Sequence, residues 1–487
     1  MSDFYKRFRP LALYSTGLVA TVFIAGCALI PAFERPPAPV ASAWPVSANV
    51  ADASATNAAS ATPSWQSYLT DPTLRQLVTT ALHHNRDLRV ATLNIEQARA
   101  QLGLRRADQF PTVNAAVSGA RTPTSAGGIS STYSAGLTVT AYELDFFGRV
   151  ASLKEQALAQ YLATTEAAQA AQLSLMATVA QGWLALLADE ELLAASTQTL
   201  ATREDSLRLV ALKTRYGAAS DLELRLAQTL RESARVTLAQ QQRQRALDEN
   251  ALALVLGQAL PATSRAVLIA PAPLPHSSRL AALRFADLPA GLPSDLLARR
   301  PDIRAAEQAL IASNANIGAA RAAFFPRIAL TAGVGSASTE LAGLFKDGSW
   351  GWTLAPQLLL PIFDAGRNQA SLDAARVGRD IAVAQYEKSI QSAFREVADA
   401  LATRSTLSQQ LQASTALLQA ESERARLTQL RLDAGAASQL DWLDAQRSQF
   451  AAQQALVLTQ LAALQNQVLL YKVLGGATPA PASLMTK

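Results

Sequence analysis

Asp441 and Asp444, three residues apart and followed by Arg447, are the side chains of this sequence best spaced for chemistry. On a helix the two carboxylates share one face. Repeated around a symmetry axis, each would make an acidic ring that attracts cations and resists anions. The plainer reading is an exposed ion pair between Asp444 and Arg447, worth only tenths of a kcal/mol. Other constellations are weaker. His83 and His84 are adjacent, without the i,i+4 spacing that points two imidazoles at one zinc ion. Gly333-Val334-Gly335 sits in an alternating, strand-like stretch and lacks the strand-to-helix context of a phosphate loop. Three histidines and one cysteine, Cys27, in 487 residues leave no nucleophile constellation and no disulfide within the chain. No catalytic residue, cofactor or metal ligand is singled out.

The elements that carry these residues are duplicated. Gly217-Ala218-Ala219-Ser220 recurs as Gly435-Ala436-Ala437-Ser438, and Leu256-Gly257 meets Leu474-Gly475 at the same offset. Gly148-Arg149 pairs with Gly366-Arg367 at that offset too, whereas Phe110-Pro111 pairs with Phe325-Pro326 at one three residues smaller. A length difference therefore lies between Phe-Pro and Gly-Arg. The repeat covers roughly half the chain, far above the period of a solenoid. After each Gly-Arg comes a proline-free run of roughly 65 to 70 residues, a helix about 100 Å long at 1.5 Å per residue. Asp221 to Leu256 and Gln439 to Leu474 are the returning helices. The Gly-Ala-Ala-Ser words are the turns, with glycine ending one helix and Ser220 or Ser438 capping the next.

Ala167 to Ala188 and Phe450 to Tyr471 are uncharged, but their repeat-mates carry Glu387, Lys388, Arg395, Glu396 and Asp399, and Arg231, Glu232, Arg243, Arg245, Asp248 and Glu249. Equivalent segments are not lipid-embedded in one copy and charged in the other. Between Phe-Pro and Gly-Arg the period changes to two: Tyr133, Ala135, Leu137, Val139 and Ala141 alternate with small polar residues, as do Val113, Ala115 and Val117. Ile328 to Val334 and Trp350 to Leu354 repeat the pattern. Each half thus contributes one hairpin, at about 112–142 and 327–361. The strands suit either an amphipathic hairpin over a soluble core or an outer-membrane barrel. Four strands are too few to close a barrel, so the second reading requires oligomerisation. A trimer supplies twelve.

Lys6, Arg7 and Arg9 precede an uncharged run from Leu11 to Ile24, as in a targeting segment. The run ends at Ile24-Ala25-Gly26-Cys27, which resembles a bacterial lipobox, so residues 1–26 are expected to be a lipoprotein signal peptide. A proline-rich stretch follows and suits an extended tether over 27–64. The two repeats then span 65–275 and 276–475, with a tail at 476–487. Net charge is +5 with 17% charged residues and no basic run, which disfavours nucleic acid as a partner.

CALIPAFERPPAPV from Cys27, LLARRPDIRAAEQ from Leu296, AFFPRIAL from Ala323, PIFDAGR from Pro361 and LDAQRSQFAAQQ from Leu443 together resemble a TolC-family outer-membrane efflux protein of the lipoprotein, OprM-like branch. The resemblance covers almost the whole chain. It implies a mainly α fold with a β-barrel: a homotrimer with a twelve-stranded barrel in the outer membrane, a long periplasmic helical barrel and a mixed equatorial domain. It implies diacylglycerol and N-palmitoyl lipid on Cys27. The implied partners are a periplasmic adaptor, an inner-membrane resistance-nodulation-division pump and outer-membrane lipid. Asp441 and Asp444 resemble the family's acidic gate residues, and Leu440 and Arg447 its constriction leucine and gate arginine. Glu223 stands opposite Asp441 in the first half, but Leu226 and Thr229 replace Asp444 and Arg447, so asymmetric gating is expected. Gly217, Ala218, Ser220, Gly435, Ala436 and Ser438 are candidate adaptor contacts, because small residues let helical hairpins meet tip to tip. The implied activity is a passive exit duct for small molecules. The alternatives are the channel of a type I protein-secretion system and a coiled-coil lipoprotein with no pore.

Overall fold

The computed structural model describes residues 29–41, 44, 63–125, 127–269, 278–286, 288 and 295–476. Cys27, the segment before it, most of 42–62 and the tail from 477 lie outside the described residues. The main elements are α1 (Pro72–His84), α2 (Arg86–Ala107), β1 (Val113–Pro123), β2 (Ile129–Leu144), α3 (Arg149–Arg215) and α4 (Asp221–Leu256). They are followed by α5 (Pro301–Ala322), β3 (Arg327–Ser338), β4 (Trp350–Leu359), α6 (Arg367–Asp433) and α7 (Gln439–Val473). Duplication is visible in the lengths: α2 and α5 have 22 residues each, α3 and α6 67 each, α4 and α7 36 and 35. The repeats are repeats of element order, not compact bodies. One compact unit takes the chain to Ala38 with Asn94–Thr165 and Ala305–Lys388; the other takes Pro39–Leu93, Glu166–Arg304 and Ser389–Lys487.

The first unit holds a four-stranded antiparallel sheet in the order β1-β2-β3-β4. Val117 lies opposite Ala135, Leu137 opposite Val334, and Val334 opposite Trp352, so one face is apolar. Ser118 opposite Ser134, and Thr138, Gly333 and Thr353 in a row, make the other face small and polar. β2 and β3 come close at Gly136 and Gly335, where a Cβ on either would collide with the partner backbone.

The alternation breaks once. Between Val139 and Tyr142 β2 carries an extra residue, with Ala141 at φ 53°, and Thr331 Oγ1 accepts the freed Ala141 N–H at 3.2 Å. The bulge exchanges faces. In an unbroken strand Glu143 would share the apolar face of Val139. Instead it lies on the polar face, accepting from Arg149 at 2.8 and 2.7 Å and from Arg327 at 2.6 Å. It also lets β2 run 16 residues, past the Ala141 where the sequence alternation ends. The length difference between the halves thus has two parts, a longer β3–β4 turn and one residue in β2 that β4 lacks.

Each 67-residue helix opens on an aspartate: Asp145 Oδ2 accepts from Ala151 N at 2.7 Å, and Asp364 Oδ2 from Asn368 N at 2.9 Å. These bonds satisfy N–H groups that lack an intrahelical partner. Ahead of the repeats, the chain from Leu29 is extended as its prolines require, yet it is docked and not a free tether. Arg321 donates to the Leu29 carbonyl at 3.3 Å, Asn314 to the Pro31 carbonyl at 2.8 Å, and Arg35 to Glu307 at 2.6 Å. It therefore runs antiparallel to α5.

The second unit packs the helical hairpins. α3 is long and apolar enough to cross a membrane, but Trp183, Leu184 and Leu186 in its uncharged stretch are buried inside the protein together with Leu252 and Leu256 of α4. At the hairpin base the halves use one device twice. Asn85 Nδ2 donates to the Val255 carbonyl at 2.8 Å, and Arg300, at the equivalent place, donates to the Val473 carbonyl at 3.1 Å.

Candidate functional site

The two Gly-Ala-Ala-Ser turns have the same backbone. Gly217 and Gly435 adopt φ 74° and 71°, the left-handed region open to glycine. The Gly217 and Ala218 N–H groups return to the carbonyls of Thr214 and Lys213, and those of Gly435 and Ala436 to Leu432 and Arg431, a Schellman termination in both copies. Ser220 and Ser438 then start the next helices through capping boxes. Glu223 Oε2 accepts from the Ser220 N–H at 2.7 Å, and Asp441 Oδ2 from the Ser438 N–H at 2.9 Å. These backbone bonds hold both carboxyls below the usual carboxylate range. Gly217, Ala218, Ser220, Gly435, Ala436 and Ser438 are all exposed.

Above the turns the copies part. Asp444 shares no partner with Asp441 among the described residues and bridges two helices: its Oδ2 accepts from Arg424 of α6 at 2.7 Å and its Oδ1 from Arg447. Arg424 also holds Glu421 at 3.0 Å. Leu440, four residues before Asp444, is exposed. The sequence-predicted carboxylates are therefore split between two jobs, Asp441 in a cap and Asp444 in a cross-helix ion cluster. Arg424 was not identified from the sequence, because only the packing of α6 on α7 brings it to Asp444. Arg203 of α3 was missed as well. It is buried, donates to Gln446 Oε1 at 2.9 Å, and its pKa is lowered by burial and by Arg447. In the first half Ser206, Leu226 and Thr229 occupy the places of Arg424, Asp444 and Arg447, so no such cluster forms.

A second charged site lies between α3 and α4. Asp189 is 6% exposed, and its Oδ2 accepts no hydrogen bond among the described residues. Burial first, then Asp248 alongside it and Glu190, pushes its pKa up to about 7, against the opposing pull of Arg245. Arg245 in turn joins Glu190 and Glu249, and Arg265 joins Glu249. The repeat-mates of Asp189 and Asp248 are Leu407 and Asn466, so this site too exists in one copy only. No group of three or more metal-ligating side chains occurs among the described residues.

The family model for outer membrane efflux proteins matches the chain twice, over residues 77–258 and 292–476. The chain belongs to the outer membrane efflux protein family. Each matched segment holds one copy of the Gly-Ala-Ala-Ser turn. The chain is 47% identical over 467 residues, 94% of each chain, to the probable efflux pump outer membrane protein TtgC of Pseudomonas putida. It is 43% identical over 484 residues, 98% of each, to outer membrane protein OprJ of Pseudomonas aeruginosa. Among solved structures it is similar to the open state of the Neisseria gonorrhoeae MtrE outer membrane channel, with a TM-score of 0.82 and 40% identity over 93% of this chain and 98% of that one. This efflux protein is accordingly an outer-membrane exit duct of an efflux pump, with the mainly helical, TolC-like fold expected from the sequence.

Proposed function

We propose that this efflux protein works as a homotrimer. Three four-stranded sheets close one twelve-stranded barrel, three pairs of helical hairpins form the periplasmic conduit, and six Gly-Ala-Ala-Ser turns meet a periplasmic adaptor that links the duct to a proton-driven inner-membrane pump. The observation that carries this reading is the sheet itself. One face is apolar, with Val117, Trp350, Trp352 and Leu354 exposed, and both β1 and β4 are open edges. Unpaired strand edges are not tolerated in lipid, so the sheet needs further copies. Lipid on Cys27 would anchor the chain in the same outer membrane.

The gate belongs to the second-half tip. Arg424 ties Asp444 to α6 while Arg447 holds it from its own helix, and releasing Asp444 from Arg424 frees α7 to move; three copies place Leu440 and the Asp441 and Asp444 carboxylates around one axis. The test is single-channel conductance of the purified protein in planar bilayers. Asp444→Ala and Arg424→Ala are expected to raise the open fraction. A protein that never conducts, with or without these substitutions, would sink the channel reading.

A further inference from the structure

We propose that β4 of one copy pairs antiparallel with β1 of a second copy in one fixed register: Leu358 opposite Val117, Gln357 opposite Ser118, Thr353 opposite Thr122. It is the register the chain already uses within itself at the β2–β3 junction, and it rests on the trimeric barrel reading above.

The duplication makes β1 equivalent to β3 and β2 equivalent to β4. Val113 opposite Val139 in the first hairpin corresponds to Ile328 opposite Leu358 in the second. At the junction between hairpins Val139 faces Ala332. Replacing each residue by its equivalent puts Leu358 opposite Val117. A second, independent anchor lies below the bulge. There Leu144 faces Ile328, and because Gly148 corresponds to Gly366, Leu144 corresponds to Ile362. This anchor puts Ile362 opposite Val113. Both anchors fall on one unbroken register, since β4 lacks the extra residue that shifts β2.

The faces agree. In this register Leu358 and Val117 extend the apolar side, and Gln357, Ser118, Thr353 and Thr122 the polar side, whereas a one-residue slip would put every apolar side chain of β4 on the polar side of its neighbour. The exposed aromatic residues agree as well. Within the chain, Phe147 stacks on Phe325 with ring centroids 4.9 Å apart, continuing the β2–β3 junction below the sheet. The duplicate of Phe325 is Phe110, which is 70% exposed; Phe147 itself is matched by Ala365, but the same turn holds Ile362 and Phe363, 93% and 90% exposed. A bare aromatic ring below β1 and a bare apolar turn below β4 are thus left at the two edges that this register brings together.

Disulfide trapping of the full-length protein in outer membranes tests the register. Directly opposed residues have Cβ atoms about 4.5–5.5 Å apart and diagonal ones about 7–8 Å, while a disulfide needs about 3.5–4.5 Å. Gln357→Cys combined with Ser118→Cys is expected to give covalent oligomers on mild oxidation, several-fold more than Gln357→Cys combined with Ala116→Cys or Ala120→Cys on the same face. Thr353→Cys with Thr122→Cys checks the register at a second point, should the first pair disturb insertion. Oligomers trapped preferentially by a shifted pair would overturn the register and leave the trimer standing. An unmodified protein that is monomeric by native mass measurement would overturn the trimer and the register together.

Discussion

The hairpin α3–α4 and the hairpin α6–α7 have one backbone and two electrostatic characters. Helix lengths, Schellman turns and capping boxes are shared because each depends on backbone groups that must be satisfied whichever side chains surround them. Charged side chains carry no such obligation and have diverged. The first hairpin holds the Asp189–Asp248 pair where the second has Leu407 and Asn466; the second holds the Asp444 cluster where the first has Leu226, Thr229 and Ser206. The duplication therefore supplies a symmetric scaffold on which each copy has acquired its own charged site.

The largest expected difference lies at the hairpin base. Asn85 and Arg300 bind equivalent carbonyls, but Arg300 is buried and also ties in Asp302 and, at 2.8 Å, Glu396. Arg300→Ala should cost about 2–3 kcal/mol, towards the low side for a buried ion pair because both acids are partly exposed. Asn85→Ala should cost about 1–2 kcal/mol. Thermal unfolding of the two variants measures the gap, and equal losses would mean that the carbonyl bond is the only shared contribution. Arg300→Asn should recover the part that Asn85 provides.

The next test separates the hairpins by pH. Asp189 holds a proton in the folded state that the unfolded chain releases near the ordinary aspartate value, so its contribution to stability is complete below about pH 4 and is lost as pH rises through about 7. The α3–α4 contact should loosen on that rise, read as faster amide exchange around Asp189 and Asp248, while the neutral Leu407–Asn466 region stays unchanged. Asp189→Asn should abolish the pH dependence. Loosening of both regions together would place its cause elsewhere.

Smaller effects are expected at the second-half tip. The ion pairs of Asp444 are partly exposed and together worth about 1 kcal/mol, so Asp444→Ala should raise the open fraction about fivefold. Leu226→Ala, the same position in the first hairpin, should leave conductance unchanged. An equal rise from both would return the gate to the two-fold symmetry that the charge pattern breaks.

What was legible in the sequence follows the same division. The turns, the equal helix lengths and the hairpins were readable because they are periodic or are repeated word for word. The bulge was not, since Ala141 gives no glycine signal for its positive φ. The docking of Leu29 to Arg35 on α5 was hidden in an aperiodic proline-rich stretch. The partnership of Arg424 with Asp444, and the facing of Asp189 and Asp248, depend on which helices become neighbours, and local spacing carries no record of that.

The smallest test addresses what the two tips share. If Ser220 and Ser438 act only as caps, Ser220→Ala and Ser438→Ala should each cost about 1 kcal/mol and weaken efflux together, because the capping boxes match bond for bond. If the tips also dock an adaptor, Gly and Asn at these positions, which keep most of the cap, separate the roles: stability is retained, and crosslinking to the adaptor changes with the side chain. The tips differ in one respect that bears on the outcome. Arg431 donates to the Ala436 carbonyl at 3.0 Å, a bond without a counterpart at the first turn among the described residues. The second tip is thus braced by one more bond beside the Asp444 cluster, and its serine should be the more tolerant of substitution. A larger stability loss for Ser438→Ala than for Ser220→Ala would show that the brace does not share load with the cap.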